Sequence, residues 1–321
     1  MIRAEDLSVV VQGDLHPVYT RQCIDSIRRY LPQAELILST WDGRDASPYA
    51  ADITVTSADP GAVPLSREND FANNLNREIV SSRAGIARAT RPYVMKFRTD
   101  MCLTGMQFLT RYDERMPAEF FHGRVMVLDH YTRNPNVIPV PFHPSDWILL
   151  GRRDDLAAMF DIPCMPREEM LYYAAHPNPA PLYRASYHRY TPEQWICLAY
   201  LRQRLAISCD HYADNTEENR RLTERILAGS YLVLDYAASD MRFLKYDPDW
   251  DKAACTLVHE REWRWMAERL AKGRLQPQGR EALFYAGAKA LVALRRIAAQ
   301  IVRALGLRAA IERLLKGTTQ R

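Results

Sequence analysis

None of the six cysteines, Cys23, Cys102, Cys164, Cys197, Cys209 and Cys255, lies in a Cys-x-x-Cys pair. Most sit inside apolar runs. That spacing argues against a zinc ribbon and against a disulfide framework, and it points to reduced, structural thiols in the cytosol. Long apolar runs are also missing: none approaches the roughly 18 uncharged residues that crossing a bilayer requires. The opening "MIRAEDLSVVVQG" has no long apolar stretch and no small-residue cleavage site, so no secretion signal is expected. There is no internal repeat, no low-complexity tract and no recognised DNA- or RNA-binding motif, so nucleic acid is not an expected partner.

The chain does have enough of everything else. Its 321 residues, 47% hydrophobic and 26% charged, suit one large soluble domain or two ordinary ones. The net charge of +4 hides an asymmetry. Residues 261–321 carry 14 Lys/Arg against 4 Asp/Glu, while residues 1–260 carry 29 against 35. We therefore expect a mildly acidic body over 1–260 and a strongly basic tail over 261–321, with an anionic partner for the tail.

Local patterns give an alternation of strands and helices. "LSVVVQG" (7–13) is a short β-branched run ending in glycine, a buried strand and a turn. Cys23, Ile24, Ile27 and Leu31 then recur at helical spacing up to Pro32. "AELILSTW" (34–41) and "ADITVTSADPG" (51–61) read as strands. "NNLNREIVSSRAGIARAT" (73–90) reads as a helix. The order strand, helix, strand with short turns is the signature of a parallel α/β sheet. Further along, "FLTRYDERM" reads as helical, "GRVMVLD" (123–129) and "DWILLG" as strands, and the residues from Asp154 as a helix. "TPEQWICLAYLRQRL" (191–205) opens with a strong helix start, "GSYLVLD" (229–235) is another strand, and "MRFLKYDPDW" is expected to be a surface loop.

"VMKFRTDMCL" (94–103) raises a physical difficulty. Lys96, Arg98 and Asp100 alternate toward one face of an otherwise buried-looking strand, and unpaired buried charge is costly. The end of this strand is therefore a candidate site. Ligands of open α/β sheets bind beyond the carboxyl ends of the strands. Other polar groups fall at the same edge: Gln12 and Gly13, Trp41 and Asp42, Asp59 in "ADPG", and Asn73, Asn74, Asn76 and Arg77. Gly13 is equally a simple turn, and the asparagines are equally helix caps. Trp41 and Trp147 are each as well suited to a core as to stacking on a base or sugar.

These stretches, in order, resemble the WavE-type lipopolysaccharide synthesis family: "LSVVVQG", "SIRRYLPQAELILSTWDG", "DPG", "NNLNREIVSSRAGIARA", "YVMKFRTDMCL", "SDWILLGRRDDL" and "PEQW". The resemblance implies a GT-A-like fold, a mostly parallel sheet flanked by helices, here with a C-terminal helical extension. It implies transfer of a sugar from a nucleotide-sugar donor to a lipopolysaccharide or other cell-surface glycan. GT-A enzymes usually carry Asp-x-Asp at the end of a central strand, and the matching position here is Arg98-Thr99-Asp100. Asp100 alone would hold Mg²⁺ or Mn²⁺, or Lys96 and Arg98 would bind the diphosphate without a metal, or Arg98 and Asp100 would form a structural bridge. For the base that takes the acceptor's proton, the candidates are Glu193, in a helix's first turn, and Asp146. Glu193 is equally a helix-dipole partner. Any of His143, His211 and His259 would complete a metal site, or is an ordinary histidine.

The stretch 283–317 is Ala- and Leu-rich without proline. Leu291, Leu294, Ala298, Ile301 and Leu305 recur at steps of three and four, with Lys289, Arg296 and Arg303 largely off that stripe. This is the pattern of a helix lying on an anionic membrane surface, or of a helix packed on the body or on another copy. An enzyme with a lipid-linked acceptor would then work in the cytoplasm, peripheral on the inner face of the bacterial inner membrane. The other readings are a non-catalytic nucleotide- or glycan-binding subunit, and a sugar nucleotidyltransferase, whose usual glycine-rich loop is absent after the first strand.

Overall fold

The computed structural model describes residues 2–64, 72–178, 187–245 and 254–305. In chain order, β1 (Leu7–Gln12), α1 (Tyr19–Tyr30), β2 (Glu35–Trp41) and β3 (Ile53–Ser57) lead to a small hairpin of β4 (Val63–Pro64) and β5 (Ala72–Asn73). Next come α2 (Leu75–Ile86), β6 (Tyr93–Arg98), β7 (Met101–Leu103), β8 (Val125–Leu128), β9 (Leu149–Arg152) and α3 (Arg153–Phe160). Short helices α4 (Arg167–Met170) and α5 (Tyr172–Ala175) precede α6 (Pro192–Leu201) and α7 (Glu217–Ser230). The chain continues through β10 (Tyr231–Leu234), β11 (Met241–Phe243), α8 (Glu260–Ala271) and α9 (Gly279–Ala304).

Seven strands form one sheet in the order β10-β8-β9-β6-β1-β2-β3. The expected fold class is what the chain has: a mixed α/β sheet, mostly parallel, flanked by helices, with a C-terminal helix. Only β9 runs antiparallel, wedged between β6 and β8. β1 is buried along its whole length, as its unbroken apolar run requires of a central strand covered on both faces. It pairs parallel with β2 and with β6, so Val9 lies between Leu36 and Met95. β3, at the edge, has no fully buried residue.

α2 covers one face of β1 and β2, and it comes close because of Gly85. A Cβ there would collide with the Val10 side chain. α6 starts where "TPEQ" announces it: the Thr191 hydroxyl accepts from the Gln194 N–H, and the Gln194 side chain accepts from the Thr191 N–H. Gln194 also donates to the carbonyls of Pro141 and Tyr212, at 2.6 and 2.9 Å, and so ties three loops together.

Several elements differ from the sequence reading. "FLTRYDERM" forms only a short 3₁₀ turn, Gln107–Arg111. Met241–Phe243 is no surface loop: it is β11, paired antiparallel with β7, and Met241 and Phe243 are buried. α7 has no counterpart in the sequence reading, and α8 falls at the start of the stretch expected as a basic tail. α8 belongs to the body's packing, with Trp263 and Met266 buried. Its Trp263 Nε1 lies 3.0 Å from the Leu227 carbonyl and 3.1 Å from that of Tyr231. The residues after 260 thus begin inside the core. Arg269 then fastens α7, α8 and the start of α9, pairing with Glu224 at 2.6 Å and Glu281 at 3.1 Å. The helix expected over 283–317 is present to Ala304; residues 306–317 lie outside the described ones.

Candidate active site

β1, β2 and β6 run parallel, so their carboxyl ends come out side by side. The chain turns sharply there. Gly13 has φ of 130°, where a side chain is strained, and a Cβ would stand 3.0 Å from the Thr99 hydroxyl. Its N–H donates to the Ser39 carbonyl at 3.1 Å, and the Thr99 N–H donates to the Gln12 carbonyl at 3.2 Å. Beyond these turns lies an open cleft of about 630 Å³.

Six of the expected site residues line it: Gln12, Gly13, Trp41, Arg77, Arg98 and Asp100. Asp59 stands behind Arg77 and fixes it with a two-point ion pair, 2.8 Å to Nε and 2.5 Å to Nη2. Trp41 is buried, and its indole N–H has no partner among the described residues. Arg98 and Asp100 are bound to each other by two hydrogen bonds of 2.8 Å. Burial pushes the Asp100 carboxyl up, but the hydrogen bond and charge of Arg98 outweigh it and hold the group below its ordinary value.

Two expected residues do not face the cleft. Asn76 instead clasps the main chain of Met165, donating to its carbonyl at 3.0 Å and accepting its N–H at 2.8 Å. Lys96 is only 1% exposed. Its ammonium donates to Glu78 and to the Asp146 carbonyl instead of pointing at a ligand. Lys96 and Arg98 share one face of β6, and Asp100 lies in the turn after it. The deeper of the two cations meets a half-buried acid.

That acid leads to a second group of residues beneath the cleft. Glu78 lies in the first turn of α2, Asp146 in the segment before β9, and Glu193 in the first turn of α6. Asp146 is pushed well above the ordinary carboxylate range by burial and by the charges of Glu78 and Glu193. Burial likewise lifts Glu193 to about 7. His143, 3.4 Å from Glu193, is driven down to about 3 by burial and stays neutral. Both candidate bases therefore belong to one buried carboxyl cluster, and Glu78 is the member that also lines the cleft. Sequence reasoning missed Glu78, which no motif or spacing in "NNLNREIV" sets apart.

Asn74, one of the asparagines expected at this edge, also lines the cleft, together with Asp14, His16, Tyr19 and Lys245. His16 and Tyr19 stack at 4.2 Å between ring centroids. Asp14 pairs with Arg44 at 2.8 Å. Trp147 has packed into an aromatic group, its ring 4.0 Å from that of Phe243. His211 accepts the Ala213 N–H at 3.1 Å in the turn before α7.

His259 stands with Asp129 and Asp235 beyond the ends of β8 and β10, on the same edge of the sheet, with one ligand atom of each within 4.8 Å of the others. The spacing is compatible with a metal ion, but the donor set fits poorly. The His259 Nδ1 is 2.7 Å from Asp129 and its Nε2 is 3.1 Å from the Ala254 carbonyl. With both ring nitrogens facing acceptors, a metal ion would have to displace a proton from the ring. Consistently, the hydrogen bond to Asp129 raises the His259 pKa.

A model of the WavE lipopolysaccharide synthesis family matches residues 7–296. The chain belongs to that family. The expected resemblance to WavE proteins is thus borne out over nine tenths of the sequence. No curated protein matches the chain. Among solved structures, a glycosyltransferase involved in the glycosylation of the major capsid of PBCV-1 is 8% identical, with a TM-score of 0.33. That alignment covers 76% of this WavE chain and 96% of the other. A score so low carries no argument about fold or chemistry.

Proposed function

We propose that this WavE protein is a glycosyltransferase that moves a sugar from a nucleotide-sugar donor to a lipopolysaccharide or other cell-surface glycan. One observation carries the reading: a cleft at the carboxyl ends of parallel strands, with Arg77 and Arg98 on its wall, meets a buried carboxyl cluster at Glu78. As the bond between the anomeric carbon and the donor phosphate breaks, negative charge grows on the leaving diphosphate. Arg98, Arg77 and Lys245 are placed to oppose it, and the Gly13 turn lets a phosphate approach the main chain. The carboxyl cluster takes the proton of the attacking acceptor hydroxyl. Glu193 and Asp146 remain our candidates for that base, with Glu78 as their outlet to the cleft.

Both Asp100 oxygens are engaged by Arg98, so a Mg²⁺ or Mn²⁺ ion there would have to compete with that ion pair. We therefore favour charge neutralisation by the cationic side chains. A non-catalytic binding subunit is the second reading, favoured by the same closed pair. We place the protein in the cytoplasm, peripheral on the inner face of the bacterial inner membrane and held there by α9, with a lipid-linked acceptor. No helix among the described residues is long and apolar enough to cross a membrane. The tail of this proposal starts with α9.

Thermal-shift screening of UDP-, GDP-, dTDP- and CMP-sugars, with and without Mn²⁺, tests donor binding. Slow hydrolysis of the bound donor by wild type, lost in Arg98→Gln, is the expected result. A donor that binds but never turns over with any acceptor would convert the proposal to the binding subunit. Failure of every donor to bind would end the transferase reading and leave only a glycan-binding subunit.

A further inference from the structure

α9 is partnered on one face only. Glu281, Tyr285 and Ala288 are buried against the body. Opposite them run Leu283 (76% exposed), Leu291, Leu294 (64%), Ile297, Ile301 and Leu305. At 100° per residue these six apolar side chains fall within about a third of the helix circumference. Isolated exposed leucines need no explanation, but a continuous stripe over about six turns does.

Where α9 leaves the body, a notch of about 180 Å³ opens between it and α8. Lys272, Arg274 and Arg280 stand on its walls, with Glu268 as the one acid not already engaged. Glu281 and Arg269, which also border it, are bound to each other. No ion pair holds Lys272, Arg274 or Arg280 among the described residues. Arg280 lies over the Trp265 ring, 5.4 Å from its centroid. It also precedes Leu283 by three residues, on the side of α9 that carries the apolar stripe. Leu275, 56% exposed, continues the apolar surface into the same turn.

We propose that this corner binds the phosphate headgroups of anionic lipids, Lys272, Arg274 and Arg280 holding the headgroup while the apolar stripe of α9 enters the acyl boundary. The inference deepens the membrane part of the proposed function and rests on it, naming the residues and the lipid chemistry. Charge decides against the alternative occupant, a second copy of the chain. Across Gly279–Ala304, α9 carries five basic residues and one acid, Glu281, which is turned inward, so two such helices side by side repel. An anionic surface attracts the same residues, at roughly 1 kcal/mol for each Lys or Arg close to it. Trp265 suits the headgroup level, where an aromatic ring meets both apolar and wet surroundings.

The test is co-sedimentation of the full-length protein with vesicles of phosphatidylcholine alone or with about one third phosphatidylglycerol. Wild type should sediment with the anionic vesicles, less so in high salt, and be left in solution by the neutral ones. The triple variant Lys272→Gln, Arg274→Gln, Arg280→Gln should lose at least tenfold in partitioning. Leu294→Glu with Ile301→Glu should abolish binding while donor thermal shifts stay unchanged. Inorganic phosphate exchanged for chloride at constant ionic strength should not displace the protein, which separates a lipid surface from a free anion. Equal binding by wild type and the triple variant would overturn the proposal. So would a dimer in light scattering that the α9 variant dissolves. Vesicle binding that persists in a protein unable to bind any donor would leave this inference standing and remove only the catalytic reading.

Discussion

Arg98 holds both oxygens of Asp100, Nε to Oδ1 and Nη2 to Oδ2, each at 2.8 Å. The residue that stands where a metal-binding carboxylate would be expected has itself become the cation. The prediction is that donor binding survives chelation: calorimetric affinities in EDTA and in Mn²⁺ should agree within about twofold. Arg98→Gln should weaken the donor about tenfold to a hundredfold, the loss of a charged hydrogen bond. Asp100→Asn frees the guanidinium and should leave affinity equal or higher. Affinity that appears only with Mn²⁺ and vanishes in Asp100→Asn would restore the metal.

Lys96 gives a sharper structural prediction. Its ammonium is enclosed by Glu78 and the Asp146 carbonyl, with almost no solvent. Lys96→Met leaves the half-buried Glu78 without its counter-charge and should cost about 1–3 kcal/mol in urea unfolding. Adding Glu78→Gln should recover much of that loss, because the offending charge is then gone. A double variant no more stable than the single would show that packing rather than charge governs the site.

What was legible in the sequence follows local rules. β1 announced itself as an unbroken apolar run, α6 by its capping box, and the site edge by polar residues following strands. What was not legible depends on partners far along the chain. β7 and β11 are three residues each and exist only through each other, so "MRF" alone looked like loop. The reversed direction of β9 leaves no mark on "LLGR". Glu78 sits among polar helix residues, and only the fold brings Lys96 beneath it. Lys96 is a charge that needs an explanation inside a buried strand, and the fold supplies one in the half-buried Glu78 of α2. α7 and α8 are rich in charge, and their apolar positions gain meaning only where Trp263 and Met266 meet β10 and α7.

His259 joins the end of β8 to the start of α8 through its 2.7 Å bond to Asp129. That bond raises the histidine's pKa in the fold. A raised group contributes stability that is complete below its unfolded pKa, near about 6.5, and is lost as pH climbs through the folded value. Thermal unfolding should therefore show a fall in stability on the alkaline side of neutrality that His259→Asn lacks. At pH 6 the variant should be less stable by about 1 kcal/mol, the net worth of one hydrogen bond. Parallel curves for the two proteins from pH 6 to pH 9 would dismiss the bridge. The ring's shift in NMR should also ignore Mn²⁺ or Zn²⁺ at pH 6, since a metal ion would have to displace a proton from the ring.

Glu193 should act oppositely on stability and on rate. Burial, with the charge of Glu78 nearby, lifts its carboxyl to about 7. The folded chain thus holds a proton there that the unfolded chain releases near about 4.3. Stability must fall as pH rises between those two values, because the fold is then required to bury a charge. Glu193→Gln keeps the shape without the titration, so its urea midpoint should stay level across pH 5 to 8 while that of wild type declines. Turnover should run the other way. A carboxyl can take the acceptor's proton only once ionised, so kcat should climb with pH through about 7, and the glutamine variant should lose on the order of 10²–10⁴ in rate. A rate profile with no step near 7, in a variant that retains turnover, would move the base from Glu193 to Asp146 or Glu78. The stability slope, which needs no substrate, would still report whether Glu193 titrates as its burial demands.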